Sequence, residues 1–230
     1  MPEKAPGWQA HTASGYDGAM AARCGRLLVE IVADPGRRQA IMADPQDLHR
    51  ELFADFAPAG FPEYAGTCQG TPGTPLADVP MSAPSQIDPE VVYEFCPPRE
   101  VPWRMKELGI NTHSLLNEPD QEGYDKLMAL AYTFCRFGKI HPFIDGNGHV
   151  QRAVFAVMAT EFGFPLSPRF AIHPRPFDRL LAAAPELFGR APADEEQEDL
   201  GLVAEYIAFF LDGPFNAPRK HVGIASLYTS

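Results

Sequence analysis

The triplet Gly146-Asn147-Gly148 follows an acidic residue, Asp145, and precedes a strongly apolar stretch containing Val150, Val154, Phe155, Val157 and Met158. Two glycines permit positive φ and close approach of the backbone to a ligand, so successive N–H groups can converge on an anion. The N-terminus of the helix that follows adds its partial positive charge. Phosphate binding is the chemistry so indicated. Arg152 lies one helical turn beyond Gly148 on the same face and can reach back over the glycines to phosphate oxygens. Asp145 is placed either to cap the helix or to hold a hard divalent cation beside bound phosphates. His141 stands at the mouth of the turn, and an imidazole with a pKa of about 6.5 is the usual group for taking a hydroxyl proton at neutral pH. Phe143 alternates with His141 and is expected to pack inward and anchor the loop.

Helices must hold this segment on both sides. Upstream, Gln121 to Gly138 carries Tyr124, Leu127, Met128, Ala131, Phe134 and Cys135 on one face wide enough for a central helix. Downstream, the apolar stretch forms a second core helix ending near Gly163. Apolar residues at helical spacing from Asp17 to Ala33 (Met20, Cys24, Leu27, Leu28, Ile31) predict a helix stopped by Asp34-Pro35-Gly36. Another helical stretch, broken at Asp44-Pro45, runs to about Phe56 with Asp44 as cap and Pro45 in the first turn. Residues 58–84 read as loop with marginal strands. The β-branched and aromatic run Val91–Phe95 pairs with Val79–Ala83 as a small hairpin closed by Pro97-Pro98. A helix follows from Val101, bends at Gly109 and ends at Pro119-Asp120. Further helices are expected over Pro176–Phe188 and Glu195–Leu211.

Composition narrows the class. A chain of 230 residues with 45% hydrophobic residues can bury one substantial core. Its expected organisation is a flexible N-terminal segment (1–15), one domain (16–215) and a C-terminal tail (216–230). A formal net charge of −11 excludes the basic stripe that nucleic acid rewards. Any phosphate must therefore be held by a small local constellation. Cys24, Cys68, Cys96 and Cys135 form no C-x-x-C pair and read as free thiols. No run reaches the roughly 18 apolar residues of a membrane span, and no apolar signal core opens the chain, so the expected compartment is the cytoplasm.

The stretch His141-Pro-Phe-Ile-Asp-Gly-Asn-Gly-His-Val-Gln-Arg152 resembles the Fic-family signature, in which His-x-Phe-x-Asp/Glu-Gly-Asn-Gly-Arg is followed three residues later by a second Arg. The likeness spans about residues 61–163. It implies a mainly α, Fic-like helical bundle with a small β-hairpin flap that docks a target segment as an added strand. It also implies transfer of AMP from ATP to a Ser, Thr or Tyr hydroxyl of a target protein. In that reaction His141 is the general base, Asp145 binds Mg²⁺, Gly146, Asn147 and Gly148 cradle the phosphates, and Arg152 grips the terminal ones.

His149 stands where the family pattern has its first Arg. An imidazole does not reproduce a permanently charged two-pronged guanidinium, so a contact between His149 and phosphate implies donor affinity that tightens as pH falls toward about 6. Three other readings accompany this departure: a nucleotide-binding regulatory module without transfer, a transferase using a different pyrophosphate donor, and a hydrolase with His141, Asp145 and His149 as metal ligands. Ser114 to Glu118 only partly fits the inhibitory Ser/Thr-x-x-x-Glu helix of the family.

Overall fold

The computed structural model describes residues 7–88, 90–174, 196–212 and, between them, Ala183, Ala184, Glu186 and Phe188. The chain is mostly helical with one two-stranded antiparallel sheet. Helix α1 (Tyr16–Ala33) buries the stripe Tyr16, Met20, Cys24, Leu27 and Ile31, the spacing that the sequence showed. The Asp34 side chain accepts from the Gly36 N–H to open α2 (Pro35–Ala43), and Asp44 accepts from Gln46 and Asp47 to open α3 (Pro45–Phe53). Each of these helices has proline as its first residue, where a missing N–H loses nothing.

Helix α4 (Val101–Leu116) runs unbroken through Gly109. A Cβ at Gly109 would meet nothing within 4 Å, so the glycine faces open space and places no demand on the backbone. A capping box between Glu122 and Asp125 starts α5 (Gly123–Ile140), which runs past the expected stop at Gly138 and packs against α4, α6 and α7. Helix α6 (Asn147–Glu161) is the most enclosed: residues 149–159 are all buried, and α1, α2 and α3 pack on it. A helix buried on every side is the centre of a core. Gly163, at φ 78°, turns the chain away from it. Helix α7 is Glu196–Ile207. The expected helix over 176–188 falls outside the described residues but for four helical positions, and the tail 216–230 falls outside them altogether.

Strands β1 (Ser82–Pro84) and β2 (Val92–Glu94) form the hairpin in the register Ser82 with Glu94, Ala83 with Tyr93 and Pro84 with Val92. They are shorter than expected. The hairpin is rooted at α5, because the Cys96 N–H donates to the Lys139 carbonyl at 3.2 Å. Among the described residues no helix is long and apolar enough to cross a membrane.

The N-terminal expectation is corrected. Trp8 and Ala10 are buried rather than loose on the surface. The Trp8 indole N–H donates to the Phe56 carbonyl at 2.7 Å, and its ring meets His49, Phe53 and Tyr64. An aromatic residue of this size buries enough apolar area to hold a short segment down.

Candidate active site

Helix α5 ends when His141 enters the left-handed region at φ 51°, its N–H still bonded to the Phe137 carbonyl at 2.9 Å. That single residue swings the chain out of the helix and into the motif loop. The loop is then clamped from behind. Asn147 is buried, and its side chain makes both bonds to one residue: Oδ1 accepts from the Phe143 N–H at 2.8 Å and Nδ2 donates to the Phe143 carbonyl at 2.6 Å. Gln69 supplies three more donors' worth of contact, its backbone N–H to the Pro142 carbonyl at 2.8 Å and its amide nitrogen to the carbonyls of His141 and Phe143, each at 3.2 Å. Phe143 is fully buried beneath the loop, the inward anchor that its alternation with His141 indicated.

Gly146, at φ 81°, leads into α6. A Cβ there would lie 2.5 Å from the Phe53 ring and 3.0 Å from His49 Nε2, so both the conformation and the space require glycine. As the first two helical residues, Asn147 and Gly148 have N–H groups with no intrahelical acceptor. The Arg152 guanidinium lies across Gly148, where a Cβ would sit 2.9 Å from Nη1. Arg152 is 3% exposed, and its Nε donates to the Ile172 carbonyl at 2.8 Å. Its reach back over the glycines matches the one-turn spacing read from the sequence.

Asp145 is tied on three sides. Its Oδ2 accepts from the Ala10 N–H and its Oδ1 from the Gly146 N–H, both at 2.7 Å, while its carbonyl accepts from His49 at 2.9 Å. A carboxylate has about four lone-pair sites, so each oxygen keeps one acceptor position beyond these bonds.

His141 is half-buried, its ring 3.8 Å from the Phe95 ring centre at the foot of the flap. This packing strips water from the imidazole and lowers its pKa from 6.5 to about 3. The ring is therefore neutral at physiological pH, the form that can accept a proton. An anion brought against it would favour the charged form and raise its basicity.

His149 differs from expectation. Its ring is 2% exposed and packs among Tyr16, Phe53 and His173, with Nε2 3.1 Å from His173 Nδ1. His173 in turn has Nε2 3.7 Å from the Asp17 carboxylate. Arg152 thus lies over the opening of α6, while the His149 ring turns into an aromatic nest with Tyr16 of α1 and Phe53 of α3. That placement also removes His149 from any ligand set with His141 and Asp145. Among the described residues no three His, Cys, Asp or Glu side chains come together as a metal site.

Residues outside the motif complete the site. His49 and Gln69 were not identified from the sequence, although His49 lies on the Leu48, Leu52, Phe53 side of its helix, where a polar residue needs a buried partner. On the far side of Phe95, a groove of about 230 Å³ runs between the flap, α4 and α5, lined by Cys96, Arg104, Tyr132, Arg136 and Lys139 among others. Glu100 and Glu107 pair with Arg104 there.

The model of the Fic/DOC family matches residues 42–159, about half of the chain. The match begins earlier than the likeness read from the motif and takes in α3, the helix that carries His49. No curated protein and no solved structure matches the chain.

Proposed function

Since the chain belongs to the Fic/DOC family, whose members generally transfer nucleotide phosphate groups to proteins, we propose that it moves AMP from ATP to a Ser, Thr or Tyr hydroxyl of a target protein. The observation that carries this reading is the guanidinium of Arg152 laid across Gly148 at the opening of α6. It adds a fixed positive charge to a helix N-terminus whose first N–H groups lack acceptors, in a protein of net charge −11 that offers phosphate little attraction elsewhere.

In the proposed reaction the target hydroxyl oxygen attacks the α-phosphorus in line, the bond to the bridging oxygen breaks, and pyrophosphate leaves. Neutral His141 takes the hydroxyl proton, its basicity raised by the adjacent phosphate charge. The N–H groups of Asn147 and Gly148 donate to phosphate oxygens, and Arg152 offsets their charge. Asn147 contributes through its backbone, because its side chain is committed to Phe143. Phe95 orients His141, and the flap edge receives the target segment as an added strand. Mg²⁺ fits this arrangement, since it commonly binds through one carboxylate plus phosphates and waters, and each oxygen of Asp145 keeps an acceptor position. Bound there, it would neutralise charge on the departing phosphates.

A nucleotide-binding module without transfer is favoured by one observation: both oxygens of Asp145 already accept backbone N–H groups. Incubation of the protein with α-labelled ATP, Mg²⁺ and cell lysate, beside the His141→Ala variant, separates the two readings. Label on protein that depends on His141 supports transfer. Nucleotide binding without any such label supports the module, and parallel reactions with other α-labelled nucleotides test the donor.

A further inference from the structure

We infer that His49 is a positioning residue for phosphate binding, setting the aim of the Gly146 N–H by holding the opposite end of the same peptide unit. The inference rests on the proposed phosphate site and adds to the Asn147 and Gly148 N–H groups a third donor, that of Gly146, which a phosphate oxygen takes over from Asp145 Oδ1.

The ring of His49 is wholly buried, and the groups facing both its nitrogens are fixed. Gly66 N–H points at Nδ1 at 2.8 Å. A backbone N–H can only donate, so Nδ1 carries a lone pair, and the single proton of a neutral imidazole sits on Nε2. Nε2 then donates to the Asp145 carbonyl at 2.9 Å. A ring nitrogen that accepts an N–H bond carries no proton, so the two fixed partners hold the ring neutral and in this tautomer. The ring also lies flat on Phe143, centres 3.9 Å apart and planes 7° from parallel, with Phe53 stacked at 4.8 Å on it. It has no room to turn.

The Asp145–Gly146 peptide is trans, the one cis bond among the described residues being His173-Pro174. In a trans peptide the carbonyl and the N–H point in opposite directions. Fixing the Asp145 carbonyl on His49 therefore aims the Gly146 N–H away from α3. There it meets Asp145 Oδ1 at 2.7 Å, an anionic oxygen in the kind of place a phosphate oxygen would take. Glycine at 146 makes this restraint necessary, because a residue free to adopt either sign of φ lets the preceding peptide rotate with little resistance.

Two half-replacements separate the bonds of His49. In His49→Gln the amide nitrogen can stand in for Nε2 and keep the bond to Asp145. In His49→Asn the amide oxygen can stand in for Nδ1, keeping the bond to Gly66 and leaving the Asp145 carbonyl without its donor. The full-length variants are compared by thermal unfolding, by the position of the Gly146 amide resonance, and by equilibrium binding of Mg²⁺-ATP. Both variants are expected to unfold at lower temperature than the parent protein. His49→Gln leaves the Gly146 resonance near its original position and nucleotide affinity little changed. His49→Asn moves the resonance and weakens affinity by about tenfold, the loss of one charge-assisted hydrogen bond. Equal displacement of the resonance in both variants, or in neither, overturns the inference. If the parent protein binds no nucleotide, the phosphate site is wrong, and the resonance of the free protein still decides whether His49 aims the amide.

Discussion

The Ala10 N–H donates to Asp145 Oδ2 at 2.7 Å across 135 residues of sequence. This bond joins the N-terminal segment to the one carboxylate of the motif loop. Replacing Ala10 with Pro removes the donor, and Ala10 is the first residue of a short helical turn, a position that proline tolerates. Stability is expected to fall by about 1.5–3 kcal/mol, the range for a hydrogen bond to a charged group. Because Asp145 Oδ2 is then released, affinity for Mn²⁺ in the presence of ATP is expected to rise. Denaturant unfolding and a paramagnetic titration check the two arms. Affinity that does not change would show that Ala10 and the cation do not share this oxygen.

Acid should destabilise the protein through two histidines. His49 and His141 titrate at about 4 and about 3 when folded, against about 6.5 in an unfolded chain. The unfolded state therefore binds more protons between those values, and stability falls as pH drops below about 6.5. For fully buried His49 the loss at pH 5 is about 2 kcal/mol relative to neutral pH. Urea unfolding measured from pH 7.5 to 5 is expected to show this slope, and His49→Gln to flatten it. An unchanged slope in that variant would mean another group sets the acid limit.

Glycines 146 and 148 should fail in different ways when changed to alanine. At 146 the new methyl meets the Phe53 ring in a conformation that L-residues avoid, so the loss falls on folding, about 3 kcal/mol or more. At 148 the obstructing atom is the end of the flexible Arg152 side chain. There the fold should survive while the guanidinium is pushed aside and nucleotide affinity drops by about tenfold. Thermal unfolding beside nucleotide titration distinguishes the two patterns.

Arg152→Ala is expected to weaken ATP binding by more than tenfold, about 1.4 kcal/mol or more, whereas His149→Ala should leave it within about threefold in protein shown to be folded. The second expectation reverses the pH dependence inferred from sequence alone: with the His149 ring enclosed by Tyr16, Phe53 and His173, donor affinity should be nearly flat from pH 8 to 6. Calorimetric titration across that range checks both. Affinity that tightens toward pH 6 and loses this trend in His149→Ala would place the imidazole back on the phosphate.

Much of this architecture was legible in the sequence because it follows from local rules. Asp44, before proline, caps α3 as proline geometry and side-chain reach dictate, and Asp34-Pro35-Gly36 stops α1, with Asp34 capping α2 as well. The stripe of α1 and the turn at Gly146 are likewise set by neighbours within a few residues, whereas on α5 the expected face holds at Leu127, Ala131, Phe134 and Cys135 but not at Tyr124, which is exposed. What could not be read depends on contacts far apart in the chain. Trp8 looked like part of a loose leader because its partners Phe56 and Tyr64 come from later segments. Nothing close in sequence marks the partners of His49, since Asp145 and Gly66 lie in later segments. His149 was read as facing phosphate because its neighbour Gly148 does not reveal which side of a fully buried helix the next residue takes.

The left-handed backbone of His141 restricts which residues can replace it at all. Among residues with a side chain, Asn, Asp and His are those most at ease with positive φ, and glycine is freer still. Of these, imidazole is the group suited to taking a proton near neutral pH. A lineage that abandoned transfer while keeping the fold would drift toward Asn or Gly at this site rather than Ala or Leu. For the same reason, His141→Asn is the cleaner control for catalysis than His141→Ala, since it removes the base while sparing the turn that launches the loop.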